Sequence, residues 1–154
     1  MNLGRPLLAG RVQDALAALQ YLASRPDVDP EDIRVFGHRE GGVIALFVGA
    51  LDGRVRQTIA HRALVDFRSL VENRYYAQPA SLFVLGVLRY FDLPQVVAAA
   101  QPRRVLLINT VDALDRRLAT ATVRARYRPA ANLEVMVHDL PASLVEAVVG
   151  TERL

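Results

Sequence analysis

Apolar and polar positions along the chain follow two different periods. Val12, Ala15, Leu16, Leu19 and Leu22 recur at helical spacing, which predicts an amphipathic helix over about Leu8 to Ser24. The run Arg25-Pro26-Asp27-Val28-Asp29-Pro30 ends it, because proline cannot continue a helix and aspartate favours turns. Ile33-Arg34-Val35-Phe36 is a short strand that leads at once into Gly37-His38-Arg39-Glu40-Gly41-Gly42. Val43 to Leu51 follows as a small-residue, buried helix. Asp52-Gly53 is a turn, and Val55 to Ala60 forms the next strand.

Residues 64–100 are less regular and hold Phe67, Tyr75, Tyr76, Phe83, Tyr90 and Phe91. Two or three short helices are expected there, broken at Pro79 and Pro94, with the aromatic side chains in the core. Arg104 to Asn109 has four apolar residues between polar ones, the pattern of a fully buried strand. Leu114 to Tyr127 is expected to be an Arg-rich helix, Leu133 to His138 the last strand, and Ala142 to Val149 a closing helix. Strands separated by helices make an α/β fold: about four parallel strands flanked by helices on both faces, with right-handed crossovers.

Composition narrows the chemistry. With 154 residues and 52% apolar content, the chain is expected to form a single domain over 1–154. It has no cysteine, so disulfides and thiolate metal sites are excluded. All 19 basic residues are arginine, which excludes Schiff-base and P-loop lysine chemistry. The net charge of +3 is spread among acids, so no nucleic-acid partner is expected. Three dispersed histidines without ligand spacing suggest no metal site, and no cofactor is expected. The apolar stretch Pro6–Ala9 is too short for a signal peptide, and no run of about 20 apolar residues spans a membrane. A cytoplasmic chain is the resulting expectation.

The strand–turn–helix around Gly37-His38-Arg39-Glu40-Gly41 is the frame of a nucleophile elbow, spanning 37–42. Upstream lies Leu22-Ala23-Ser24-Arg25-Pro26-Asp27-Val28-Asp29-Pro30-Glu31-Asp32-Ile33. Together with Leu70-Val71-Glu72, Pro79–Phe83 and Phe91–Pro94, this run resembles α/β-hydrolases, in particular the acetyl xylan esterase-like and dienelactone hydrolase-like branches. The resemblance implies a partial α/β-hydrolase fold, with the strand before the elbow matching the family's fifth of eight and a helical insert over about 64–100. On that basis the chain corresponds to the C-terminal half of such a domain.

The departures carry the functional argument. Arg39 stands at the nucleophile position, and a guanidinium, always protonated, offers only donors. None of Ser24, Ser69, Ser81 and Ser143 sits on an elbow. The resemblance puts the family's acid at Asp112, with Asp115 as its neighbour, and leaves His138 as the histidine nearest the base position. The reading is a degenerate domain, a pseudoenzyme related to acyl esterases, whose edge strand Ile33–Phe36 pairs with a second copy, a partner chain or a lost N-terminal half. Two alternatives stand beside it. One is an esterase of short-chain acyl esters such as acetylated sugars, assembled with a second chain and using Asp112 with His38, His61 or His138. The other is an anion-binding module built from Arg39 and the amides of Glu40 and Gly41. Plainer roles are an Arg39–Glu40 ion pair, packed turn positions for His38 and His61, and a solvated basic face for Arg116, Arg117, Arg124, Arg126 and Arg128.

Overall fold

The computed structural model describes residues 6–137. Helix α1 (Leu7–Ala23) leads to strand β1 (Ile33–His38), helix α2 (Glu40–Leu51) and strand β2 (Val55–His61). Then come helix α3 (Arg68–Glu72), two short 3₁₀ turns, helix α4 (Leu93–Ala99), strand β3 (Arg104–Ile108), helix α5 (Thr120–Arg126) and strand β4 (Leu133–Met136). The strands form one parallel sheet in the order β1-β2-β3-β4, flanked by helices. Among the described residues β1 is one edge of that sheet.

Register decides which side chains share a face. Gly37, Ala60, Leu107 and Val135 lie in one row across the four strands. That face packs into the main core with Leu8 and Val12 of α1, Val43 and Leu46 of α2, Val96 and Val97 of α4, and Val123 of α5. The next row, Phe36, Ile59, Leu106 and Glu134, faces the other way, and Ile59, Leu106 and Ile108 form a separate cluster there. Phe36, on edge strand β1, is 45% exposed.

Helix α2 lies close on the sheet because its small residues permit it. A Cβ on Gly49 would stand 1.9 Å from Thr58 Oγ1, and one on Gly42 would stand 2.9 Å from Ala63 Cβ. Helix α4 starts where the sequence signals it: Asp92 and Gln95 form a reciprocal capping box, with Pro94 in the first turn. Asp92 also accepts the backbone N–H groups of Phe67 and Arg68, which ties α3 to α4.

Several expectations are corrected. Helix α2 begins at Glu40, three residues before Val43, because the elbow feeds it directly. The helix expected over Leu114–Tyr127 is confined to Thr120–Arg126, since Asp112 holds the preceding residues in a turn. The aromatic side chains of the insert are not mainly core: Phe67 is buried, but Tyr75, Tyr76 and Tyr90 are exposed. The arginines after β3 are not simply a solvated face. Arg126 pairs with buried Asp66, and Arg116 pairs with Asp112. The closing helix expected over Ala142–Val149 lies outside the described residues. No single helix among those described is long and apolar enough to cross a membrane.

Candidate functional site

The carboxyl ends of parallel strands are where such sheets bind ligands, and here they gather the unusual backbone. Arg39 follows β1 with φ 53° and ψ −117°, Arg62 follows β2 with φ 51°, and Asn109 follows β3 with φ 51°. Asp115, further along the same loop after β3, has φ 62°. These are the non-glycine residues of left-handed φ among the described residues. Such conformations cost about 1–3 kcal/mol each and persist only where surrounding contacts enforce them.

At the elbow, the Arg39 N–H donates to the carbonyl of His61 at 2.8 Å, locking the turn to β2. A Cβ on Gly37 would stand 2.0 Å from the Gly41 carbonyl oxygen, so only glycine fits where strand and helix meet. The backbone of a nucleophile elbow is therefore complete. Its side chain is not: the Arg39 guanidinium donates to Asp115 Oδ2 at 2.7 Å. Asp115 Oδ1 lies 3.1 Å from Arg62 Nη2, an ion-pair distance without hydrogen-bond alignment. Arg39 is thus held by Asp115 and not by Glu40, which pairs with Arg11 instead.

Asp112, at the acid position, is consumed locally. Its carboxylate accepts the N–H groups of Leu114 and Arg116, both at 2.9 Å, and Arg116 Nε at 2.8 Å. Burial pushes this carboxyl up, but the Arg116 contacts and the two amides outweigh it and hold it below the usual range. His138, the residue nearest the base position, lies outside the described residues.

The two other histidines meet. His38 and His61 are register partners, with Nδ1 atoms 3.0 Å apart and ring centroids 4.9 Å apart. His61 is 7% exposed, and its Nε2 lies 3.3 Å from the Asn109 amide nitrogen. Burial lowers the pKa of His38, helped by the Arg39 and Arg62 charges and opposed by Asp115. Burial also lowers that of His61, helped by His38 and Arg62. His38, Arg39, Glu40 and Gly41 line an open cleft of about 530 Å³ together with Ala77, Gln78 and Pro79. Among the described residues no cluster of three or more His, Asp or Glu could hold a metal.

The sequence reading found His38, Arg39, His61, Asp112 and Asp115 singly. It missed Arg62 and Asn109, and it missed that Asp115 is the partner of Arg39. One signal was present: Arg39, Arg62 and Asn109 each immediately follow a strand at the ligand-binding edge.

A parallel sheet that turns through a strained residue between close-packed glycines into a buried helix defines the α/β-hydrolase class. The model of the family described as acetyl xylan esterase (AXE1) matches residues 10–115, and the chain belongs to that family. A Bacillus subtilis (strain 168) protein named as a hydrolase, YtaP, is 26% identical over 106 residues, covering 65% of this chain and 34% of its own. The acetyl esterase Axe7A of Xylanibacter ruminicola is 38% identical over 63 residues, covering 40% of this chain and 14% of its own. Among solved structures, the acetyl xylan esterase from Paenibacillus sp. R4 superposes with a TM-score of 0.68 at 22% identity, over 98% of this chain and 55% of that one. Acetyl xylan esterase 1 from Thermoanaerobacterium sp. JW/SL YS485 gives a TM-score of 0.62 at 17% identity, over 98% and 57%. The chain thus spans little more than half of these esterase structures and about a third of YtaP.

Proposed function

We propose that this chain is a degenerate α/β-hydrolase-like domain, related to acetyl esterases, that does not itself turn over esters. Its sheet is completed along β1 by a second copy, a partner chain or further strands of a longer protein. The observation that carries the reading is the side chain at the elbow. Arg39 cannot attack a carbonyl, and Asp115, shared with Arg62, holds it at the position where a nucleophile would act. The engagement of Asp112 with Arg116 supports the same conclusion, because the acid position has no carboxylate oxygen left to orient a base. The placement of β1 at the edge supports the need for completion, since an edge strand presents unpaired backbone groups.

Hydrolysis of p-nitrophenyl acetate by the full chain tests the catalytic half of the reading. Turnover no faster than buffer is expected, and Arg39→Ser is expected to stay at that level. Turnover that Asp112→Asn abolishes would overturn it. Light scattering tests pairing between copies: a stable monomer would refute that route and leave a partner chain or further strands of a longer protein. A second reading, an esterase of short-chain acyl esters assembled with another chain, draws on the partial coverage of the relatives. The same assay with the missing half supplied in trans decides it.

A further inference from the structure

The four strained residues belong to two side-chain chains, and the chains meet at the cleft. One is Arg39–Asp115–Arg62; the other is Asn109–His61–His38. The second chain has a direction. An amide nitrogen only donates, so His61 Nε2 accepts from Asn109. A neutral imidazole carries one ring proton, so His61 keeps its proton on Nδ1. That N–H donates to Nδ1 of His38, and His38 must then hold its own proton on Nε2. Two buried amino acids, with Asn109 6% exposed, thus fix the tautomer of an exposed one.

Charge adds a second constraint. Arg39 and Arg62 share the single carboxylate Asp115, which leaves one positive charge in excess. The neighbouring pairs Arg11–Glu40 and Arg116–Asp112 are balanced. His38 and Arg39 line the same cleft, so it offers donors and one surplus positive charge. We propose that this cleft binds a small carboxylate monoanion between His38 Nε2–H and the Arg39 guanidinium, with His61 and Asn109 as positioning residues. A dianion such as phosphate would exceed the available charge. The inference goes beyond the reading above and gives a ligand to an elbow that the reading leaves without chemistry.

Long-range ¹H–¹⁵N spectra of the full chain at about pH 8, where histidine is ordinarily neutral, with acetate added at constant ionic strength, test the proposal. The expected spectrum shows the Nε2–H tautomer for His38 and the Nδ1–H tautomer for His61. Acetate is expected to move the His38 ring signals to saturation. His38→Ala should weaken acetate binding about tenfold, the loss of one charge-assisted hydrogen bond, and His38→Gln, which keeps a donor, should restore much of it. Asn109→Gly accepts the left-handed backbone and removes the amide. It should leave the fold intact by circular dichroism while mixing both histidine tautomers and weakening acetate. The proposal is overturned if His38 carries its proton on Nδ1, if acetate binds His38→Ala and the unmodified chain equally, or if inorganic phosphate binds more tightly than acetate. Ester turnover would refute the non-catalytic reading and leave the site standing; absent acetate binding would do the reverse.

Discussion

The two ends of the sheet use arginine in opposite ways. At the amino end, Arg25 pairs with Asp27, Arg34 with Asp32 and Arg54 with Asp52, each across two residues of sequence, and Arg56 adds one exposed contact to Asp32 from 24 residues away. No non-glycine residue of left-handed φ occurs there among the described residues, and the Arg25–Asp27 pair faces water. At the carboxyl end, Arg39 reaches an acid 76 residues away and Arg62 reaches the same residue 53 away, from backbones of left-handed φ. A pair formed within one turn satisfies itself whatever the rest of the fold does, and in water it contributes little. A pair formed between distant loops exists only in the folded state, and it can hold strained conformations that carry chemistry. The same residue type therefore forms mainly local pairs at one end and joins distant loops at the other.

The sharpest break in this comparison is backbone fit. Gly37→Ala places a Cβ 2.0 Å from a backbone oxygen of α2, which no rotamer change relieves. A loss of at least about 4 kcal/mol, or failure to fold, is expected in urea titration. Gly53→Ala, in the turn leading into β2, meets nothing within 4 Å. It should stay within about 0.5 kcal/mol of the unmodified chain.

Removing the shared acid comes next. Asp115→Asn keeps a residue that tolerates left-handed φ but leaves Arg39 and Arg62 facing each other without a carboxylate. A loss of about 1–3 kcal/mol is expected, since both guanidinium groups are partly buried. Asp27→Asn, which breaks the local pair with Arg25 at a carboxylate that is 60% exposed, should barely move the unfolding midpoint. Equal losses at the two sites would erase the distinction between the ends.

What the sequence disclosed follows the same division. Strand and helix periods located every element of the described sheet within a few residues, because apolar spacing is a local signal. The elbow was legible from Gly37, Gly41 and Gly42; at Gly37 and Gly42 small size is itself the constraint. The pairing of Arg39 was not legible: Glu40 is adjacent in sequence, yet Asp115 wins because the sheet brings the loop after β3 over the end of β1. The turn at Asp112 was mistaken for helix for a related reason. Leu114 to Tyr127 has helical composition, but one carboxylate capturing two N–H groups diverts its first residues. The exposed aromatic residues of the insert escaped as well, since burial of Tyr75 or Tyr90 depends on what packs there and not on residue type.

The smallest expected effect is a difference in pH dependence. The amino-end carboxylates Asp27, Asp32 and Asp52 are all lowered: Asp27 and Asp52 chiefly by hydrogen bonds from Arg25 and Arg54, and Asp32 by Arg34 and Arg56 against its desolvation. A lowered carboxylate stabilises above its ordinary value and loses that contribution as pH falls below about 4. The carboxyl end holds His38 and His61, both lowered. Below about pH 6.5 the unfolded chain binds protons that the folded pair resists, so this contribution is complete above that pH and is lost as pH falls through the folded values. Melting curves between about pH 8 and 5 should therefore slope downward toward acid, and the double variant His38→Gln, His61→Gln should flatten that slope. Asp52→Asn should leave it unchanged, because its carboxylate does not titrate in that window. A slope that survives loss of both histidines would mean that proton uptake in this range arises elsewhere, and that the pair is not strained against protonation.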